Sequence, residues 1–418
     1  MQQEGRYIKF EDYLLMFLLL FMSGNPAVCI IDPYHYLLVI LMEVFFFGKR
    51  LSSVGKKKAV RWSALMIVIF VGQYFTLHKI GILASANYIF KLLVAIFAAD
   101  ILKEKFSYTY LKVISTLSVI ALVLWGINLF GIHFPPLLRF ENSTDSLIVY
   151  TQQVSGNVFG RDGLLRNAGM FWEPGAYAGY IMLAFFLYIN QLDHLWVKHR
   201  KEVLVLTIAL LSTFSTTGYI VFTVIFFFFL TKRVKNKSLF IVVMMAALLG
   251  IAYFFESIDF LNDKLRNEYE NAMTTEKYDV NFSRMGSLVF DWAYIKMHPV
   301  FGNGLLNETR FSQHIAFADN LSAFGNGFSG EIAYFGLPFM LIFLFAIYRN
   351  SSLKKKGLLL LLFVLQMQGE YFMNYPLFLI FPFVFFFNET DNRECSITRN
   401  NANGSTNEVK LPTDTLDI

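Results

Sequence analysis

Long apolar runs alternating with short charged breaks set the pattern of the chain. The runs fall at about 12–31, 33–47, 62–77, 80–100, 112–132, 175–192, 203–213, 217–231, 238–255, 328–348, 357–369 and 371–387. We assign each to a helix in a membrane, where one crossing takes roughly 20 apolar residues. Several runs are shorter, which leaves room for a re-entrant hairpin, and Pro26 and Pro33 interrupt the first two. The pattern predicts an all-α fold, a polytopic membrane protein of about 12 transmembrane helices with two large loops on its outer face.

The breaks supply the sidedness. Lys49, Arg50, Lys56, Lys57, Lys58 and Arg61 share one; Lys103, Lys105 and Lys112 a second; Lys198, Arg200 and Lys201 a third. Lys232, Arg233, Lys235 and Lys237 make a fourth, and Arg349, Lys354, Lys355 and Lys356 a fifth, so these breaks hold 20 of the 36 basic residues. Short loops rich in Lys and Arg face the cytoplasm. An even number of runs separates each basic loop from the next, so all five share one side when both termini are cytoplasmic. The N-terminus mixes Arg6 and Lys9 with Glu4, Glu11 and Asp12 and shows no clear small-residue cleavage site, so its apolar run reads as a retained helix. Residues 1–387 form the transmembrane domain, and 388–418, rich in Asn, Thr and Asp without an apolar period, form a disordered cytoplasmic tail.

Composition agrees with the pattern. The chain is 56% hydrophobic and 16% charged, with a mean hydropathy of +0.48; soluble domains carry roughly 25% charged residues. Two or three soluble domains would need more polar surface than these charges supply. The 47 Phe, two Cys and absence of a Gly-X-Y period exclude disorder, a disulfide scaffold and collagen. Cys29 and Cys395 fall on opposite sides and cannot bridge.

Two loops on the side opposite the basic breaks, about 133–174 and 256–327, exceed ordinary connections. Long loops on a rigid scaffold carry function. No internal repeat supports an inverted-repeat transporter. No Walker-type phosphate loop, HExxH or CxxC occurs, so neither nucleotide hydrolysis nor zinc chemistry is indicated, and no metal or cofactor is expected.

The first loop holds Arg139, Arg161 and Arg166 and no Lys, and runs through Arg166-Asn167-Ala168-Gly169-Met170-Phe171-Trp172-Glu173-Pro174-Gly175 into an apolar run. A guanidinium offers phosphate a permanently charged fork of donors. Pro174 suits a first helical position. Two readings stand: Glu173 caps the helix and the arginines face lipid headgroups, or Arg166 and Glu173 line a site for an anionic lipid-linked substrate. The second loop carries ten acids from Glu256 to Asp319 against Lys264, Arg266, Lys277, Arg284, Lys296 and Arg310, an acidic excess that argues against nucleic acid. Ser283 is placed to cap a helix begun by Arg284, an interfacial helix with Trp292 and Tyr294 at headgroup depth. It ends at His298-Pro299, and Phe301-Gly302-Asn303-Gly304-Leu305 makes a tight turn. His314, near Arg310 and Asp319, is a candidate general base for a sugar hydroxyl; His298 is given a structural role. Ser212 to Gly218 forms the outer turn of a hairpin whose hydroxyls satisfy helix ends or line a polar cavity. Lys91 and Asp100 lie in or near a run, where ionisable groups are functional candidates, although Lys91 can snorkel and Asp100 is near the cytoplasmic end. Glu370 falls at the outer end of the last hairpin.

Four segments, in order, resemble the O-antigen polymerase and ligase family, the Wzy-like polytopic glycosyltransferases. They are Arg166 to Pro174, the Ser/Thr-rich turn Leu211 to Gly218, the Arg284–Trp292 helix ending in Pro299 to Gly304, and Asp319-Asn320 leading into Gly327 to Gly330. The family commonly has His directly before that Asn, where this chain has Asp319. The resemblance implies polymerisation of polyprenyl-pyrophosphate-linked oligosaccharide repeat units on the outer face of a bacterial inner membrane, independent of nucleotide and metal. It implies Arg166 and Arg284 for the pyrophosphate, with Arg161 and Arg310 in reserve. His314 or Asp319 would be the base, and Glu173 would position or polarise the acceptor. Its expected partners are the lipid-linked oligosaccharide, membrane lipids, a chain-length regulator and a flippase. The rivals are a ligase of the same family and a flippase or transporter, which would spread ionisable residues through the span interiors. A membrane acyltransferase lacks a compelling His/Asp constellation.

Overall fold

The computed structural model describes residues 8–30, 35–135, 138–139, 144–146, 148–153, 165–233, 242, 284–310, 326–350 and 356–384. Helix dominates these residues. The first helices are α1 (Phe10–Met22), α2 (His35–Phe47), α3 (Ser53–Leu77), α4 (Ile82–Leu102) and α5 (Phe106–Leu129). The middle of the chain supplies α6 (Pro174–Leu187), α7 (Leu192–Lys198), α8 (Arg200–Ser212) and α9 (Thr216–Arg233). After these come α10 (Arg284–Met297), α11 (Asn307–Arg310), α12 (Gly327–Phe335), α13 (Leu337–Asn350), α14 (Lys356–Met367) and α15 (Pro376–Leu379).

Local chemistry sets many boundaries. Ser52 Oγ accepts from Gly55 N at 3.0 Å and starts α3. His78, at φ 54°, ends it in the left-handed region. Pro174 occupies the first turn of α6, as predicted. Pro26 and Pro376 break the first and last apolar runs, which fold as α1 plus a 3-10 turn Pro26–Ile30, and a 3-10 turn Phe372–Asn374 plus α15. The run at 238–255 lies outside the described residues except for residue 242.

Among the described residues, two helices are long and apolar enough to cross a membrane, Ser53–Leu77 and the 48-residue stretch Ile82–Leu129, or three when α6 and α7, bent by 103°, are taken as one span. A straight helix of 48 residues would reach about 72 Å, over twice the roughly 30 Å bilayer core. The 3-10 turn Lys103–Lys105 divides it into α4 and α5, with Lys103 at φ 47°. Thr216–Leu230, α13 and α14 are shorter apolar helices. By length and hydropathy the described residues therefore support two or three crossings, fewer than the twelve that the apolar runs suggest for the full chain.

One departure from an all-helical chain lies in the first long loop. Strands β1 (Leu138–Arg139), β2 (Thr144–Ser146) and β3 (Thr151–Gln153) form an antiparallel meander, with Leu138 opposite Ser146 and Thr144 opposite Gln153. Gln152 folds back so that its Nε2 donates to Phe134 O at 2.6 Å and its Oε1 accepts from Phe134 N at 3.0 Å. These strands are polar and carry no alternating apolar signal.

The helices gather polar links at two opposite ends. At the basic end, Asp12 is fully buried and takes Arg50 at 2.6 Å and Lys105 at 3.1 Å. Arg50 Nη2 also donates to Ile101 O at 3.1 Å, and Lys112 pairs with Glu202. Asp100 accepts from Ser52 N at 2.6 Å and Ser52 Oγ at 2.7 Å, which gives it a joining role between α3 and α4. At the other end, Gln73 Nε2 donates to Phe301 O at 2.7 Å and Tyr334 O at 2.8 Å, and Lys79 pairs with Glu308 at 2.7 Å. Helix α6 runs through the middle, and every residue from Pro174 to Leu187 is buried, packed by α5, α8, α9 and α14.

Candidate functional site

The segment leading into α6 is built against the turn between α8 and α9. The last carbonyls of a helix lack intrahelical donors. Arg166 supplies them: its Nε donates to Thr213 O at 3.0 Å and its Nη2 to Phe214 O at 3.1 Å. Asn167 continues the seam, N to Ser212 O at 2.9 Å and Nδ2 to Ser212 Oγ at 3.0 Å. The turn hydroxyls also serve helix ends, with Ser212 Oγ on Ala209 O and Thr213 Oγ1 on Leu210 O, both at 2.7 Å. Two segments singled out separately in the sequence thus meet through Arg166, which is only 8% exposed.

Glu173 occupies the N-cap position of α6 in an extended conformation and is half-buried. Its side chain makes no capping hydrogen bond, so its carboxylate stands at a helix N-terminus, a favourable place for an anion. Trp172 N donates to Gly24 O at 3.2 Å, and the indole stacks on Tyr375 with centroids 4.6 Å apart. Asn25 ties the same region together, donating to Ile148 O at 2.5 Å and Met170 O at 2.9 Å.

The second long loop contributes α10, α11 and the entry to α12. Arg284 is the first residue of α10. The turn at 301–305 is as tight as its sequence predicts, with Gly302 at φ 72° and Gly304 at φ 71°. Between them Asn303 N donates to Ala333 O at 2.8 Å, and Asn303 Nδ2 reaches Tyr294 O and Ala333 O, both at 3.0 Å. A Cβ at Gly302 would collide with the Tyr334–Phe335 backbone. Trp292 is half-exposed, but Tyr294 is fully buried, so only the former suits a membrane-surface position. The backbone N of His298 donates to Tyr294 O and its carbonyl accepts from Gly302 N, in keeping with a structural role; burial pushes its imidazole below the usual range.

Arg310 is placed inside the protein, 1% exposed. It pairs with the buried Asp291 and lies over the rings of Tyr294 at 4.8 Å, Tyr334 at 5.2 Å and Phe290 at 5.4 Å. Asp291 also accepts from Ser329 Oγ at 2.5 Å. Burial pushes the Asp291 carboxyl up, while Arg310 and Ser329 pull it down. Arg310 therefore binds α11 to α10 and α12. Arg161, His314, Asp319, Asn320 and Ser283 lie outside the described residues.

Sequence reasoning named Lys91 but passed over the buried polar groups around it. Glu331, on α12 with no exposed surface, accepts from Tyr88 on α4. Lys91, one turn from Tyr88, donates to Asn374 Oδ1 at 2.8 Å and lies 5.3 Å from the Tyr36 ring centroid. The available signal was the spacing: Tyr88 and Lys91 share a helix face, and Glu331 interrupts an apolar run.

The segment from Gln366 to Tyr375 bridges these parts. Thr217 packs where a Cβ of Gly369 would point, and the Phe372 ring lies over Gly179. Tyr371 meets Tyr334 at 5.4 Å, and the Glu370 carbonyl comes against Gly327 so closely that a Cβ has no room. Asn326 caps α12 by accepting from Ser329 N at 3.1 Å and donates to Gln368 Oε1 at 2.5 Å. Among the described residues, no group of three or more His, Cys, Asp or Glu could hold a metal ion. No protein-family model, curated protein or solved structure matches the chain.

Proposed function

We propose that the protein is a multi-span inner-membrane glycosyltransferase that joins polyprenyl-pyrophosphate-linked oligosaccharide repeat units into a surface polysaccharide. The observation that carries the proposal is convergence. The Arg166 segment, the Ser212–Gly218 turn and the entry to α12 are far apart in sequence, yet all touch residues 366–375, away from the basic loops, and the Pro299–Gly304 turn packs on α12 at Ala333 and Tyr334. The proposed topology has about twelve crossings and both termini in the cytoplasm, which puts this end on the outer face.

In the proposed reaction an acceptor sugar hydroxyl attacks the anomeric carbon of the donor. The bond from that carbon to the pyrophosphate oxygen breaks, the leaving group departs as polyprenyl pyrophosphate, and the hydroxyl proton passes to a base. Arg284 and Arg166 are assigned to the developing charge on the pyrophosphate, with Arg161 in reserve; Arg166 also holds the turn. Asp319 or His314 is the base, and Glu173 positions the acceptor. Arg310 is withdrawn from the pyrophosphate set because Asp291 and three rings enclose it. The activation resides in the donor, so no nucleotide enters.

The test is purified protein with a lipid-linked repeat unit and no nucleotide, scored for chain length. Wild type should build ladders, and Arg284→Ala and Arg166→Ala should abolish them at unchanged protein levels. Wild-type ladders from both variants would sink the assignment. A ligase of the same family would instead move finished polymer to a lipid core, and its deletion would leave unattached long polymer. The buried Lys91 and Glu331 give a flippase some support; that reading requires translocation of the lipid-linked unit without elongation.

A further inference from the structure

We infer that Trp172, Glu173, Asn374 and Tyr375 form a saccharide-binding subsite, in which the sugar rings of the acceptor lie against the stacked Trp172–Tyr375 pair. The inference deepens the transferase proposal and rests on it. The two rings stack at 4.6 Å with 25° between their planes. All four residues are half-buried, whereas the residues that follow each pair, 174–187 and 376–379, are buried throughout. Each of the four therefore keeps part of its surface uncovered beside helices that are buried throughout.

Their chemistry selects the ligand. A pyranose has an apolar face of C–H groups and a rim of hydroxyls, and a flat aromatic surface with a few placed polar groups is the complement of both. Glu173 brings a carboxylate that makes no cap bond and can accept from hydroxyls. Asn374 has its Oδ1 engaged by Lys91 Nζ at 2.8 Å, which orients the amide so that its Nδ2 is the group turned elsewhere. A pyrophosphate would be repelled by Glu173, and a lipid tail would offer the Glu173 carboxylate and the Asn374 Nδ2 no hydrogen bonds.

The platform is preorganised. Gly24, at φ 149°, packs against the indole so closely that a Cβ would fall on the ring, and Tyr180 meets Trp172 edge-on at 6.5 Å. A ring held on three sides loses little freedom when a ligand arrives.

The experiment measures binding of the free oligosaccharide repeat unit, released from its lipid carrier, to the purified full chain in a detergent without a sugar headgroup. Saturation-transfer NMR reports the bound sugar protons. Glu173→Gln, Tyr375→Ala and Gly24→Ala should each weaken binding about tenfold, while Trp172→Phe, which keeps a ring, should weaken it less. Glu173→Gln is nearly isosteric and keeps the inference testable if Tyr375→Ala fails to fold. Wild-type affinity in Glu173→Gln and Gly24→Ala, or no saturable wild-type signal, overturns the subsite. Elongation by wild type with oligosaccharide affinity unchanged in the variants overturns the subsite and leaves the transferase proposal standing. Sugar binding that the variants lose, from a wild type that never elongates, upholds the subsite and overturns the polymerase.

Discussion

Arg310 and Arg166 carry the same guanidinium into different surroundings. Arg310 is paired and enclosed, so removing it leaves Asp291 buried without its cation. Breaking such a pair costs about 3–5 kcal/mol, and Arg310→Ala should melt well below wild type or fail to accumulate, by thermal scanning of the purified protein. Arg310→Met combined with Asp291→Leu should recover much of the loss, because apolar groups of similar volume need no charge partner. The pH dependence has a definite sign. Burial raises the Asp291 carboxyl and Arg310 opposes this. In Arg310→Met the opposition is gone, so the carboxyl rises further. A carboxyl raised in the folded state favours folding at low pH and loses that contribution as pH climbs through its folded value. The melting temperature of Arg310→Met should therefore fall as pH rises above about 4, more steeply than that of wild type. None of this was visible in the residue list, where Arg310 looks like any arginine in a polar loop. Its three aromatic neighbours come from α10 and α12, and only packing brings them together.

Punctuation residues made several elements legible. Pro174 fixed a helix start, the Ser/Thr turn fixed a hairpin, and Pro-x-x-Gly-x-Gly fixed the turn at 301–305. Helix–helix fit was not legible. Gly179 gave no signal in an apolar run, yet the Phe372 ring occupies the space its Cβ would take. Gly179→Val should cost about 1–3 kcal/mol and displace the 366–375 bridge, read as a lower melting temperature together with lost activity. Phe372→Ala in the same chain should recover part of the stability; no recovery would mean that the clash is absorbed elsewhere. The 103° bend between α6 and α7 was missed because Asn190 and Gln191 fall at the edge of an apolar run, and hydropathy does not register direction.

At the scale of the molecule, the first three basic loops named from sequence come together at one end: Arg50 and Lys105 meet on Asp12, and Lys112 meets Glu202, beside Lys201. The charge pattern predicts this grouping because loops rich in Lys and Arg are expected on one side of a membrane. The number of crossings is not legible in the same way, since an apolar run records burial, and protein buries a helix as well as lipid does. Sidedness can be measured. In a chain lacking Cys29 and Cys395, a cysteine at the exposed Glu308 should react with a membrane-impermeant maleimide in spheroplasts, and one at the exposed Lys56 should react only after lysis. The reverse pattern would invert the topology.

Helix α6 carries a consequence for biogenesis. As the first arm of a bent span with α7, α6 would be read by the insertion machinery as a membrane segment, yet every one of its residues ends up covered by protein. Lipid would then have to be stripped from it during assembly, and exchanging one oily surrounding for another yields little solvophobic gain. Shape must then provide the specificity. Substitutions that preserve hydropathy but alter volume along 174–187 should leave insertion intact and stall maturation, producing a chain that is embedded, full-length and unfinished.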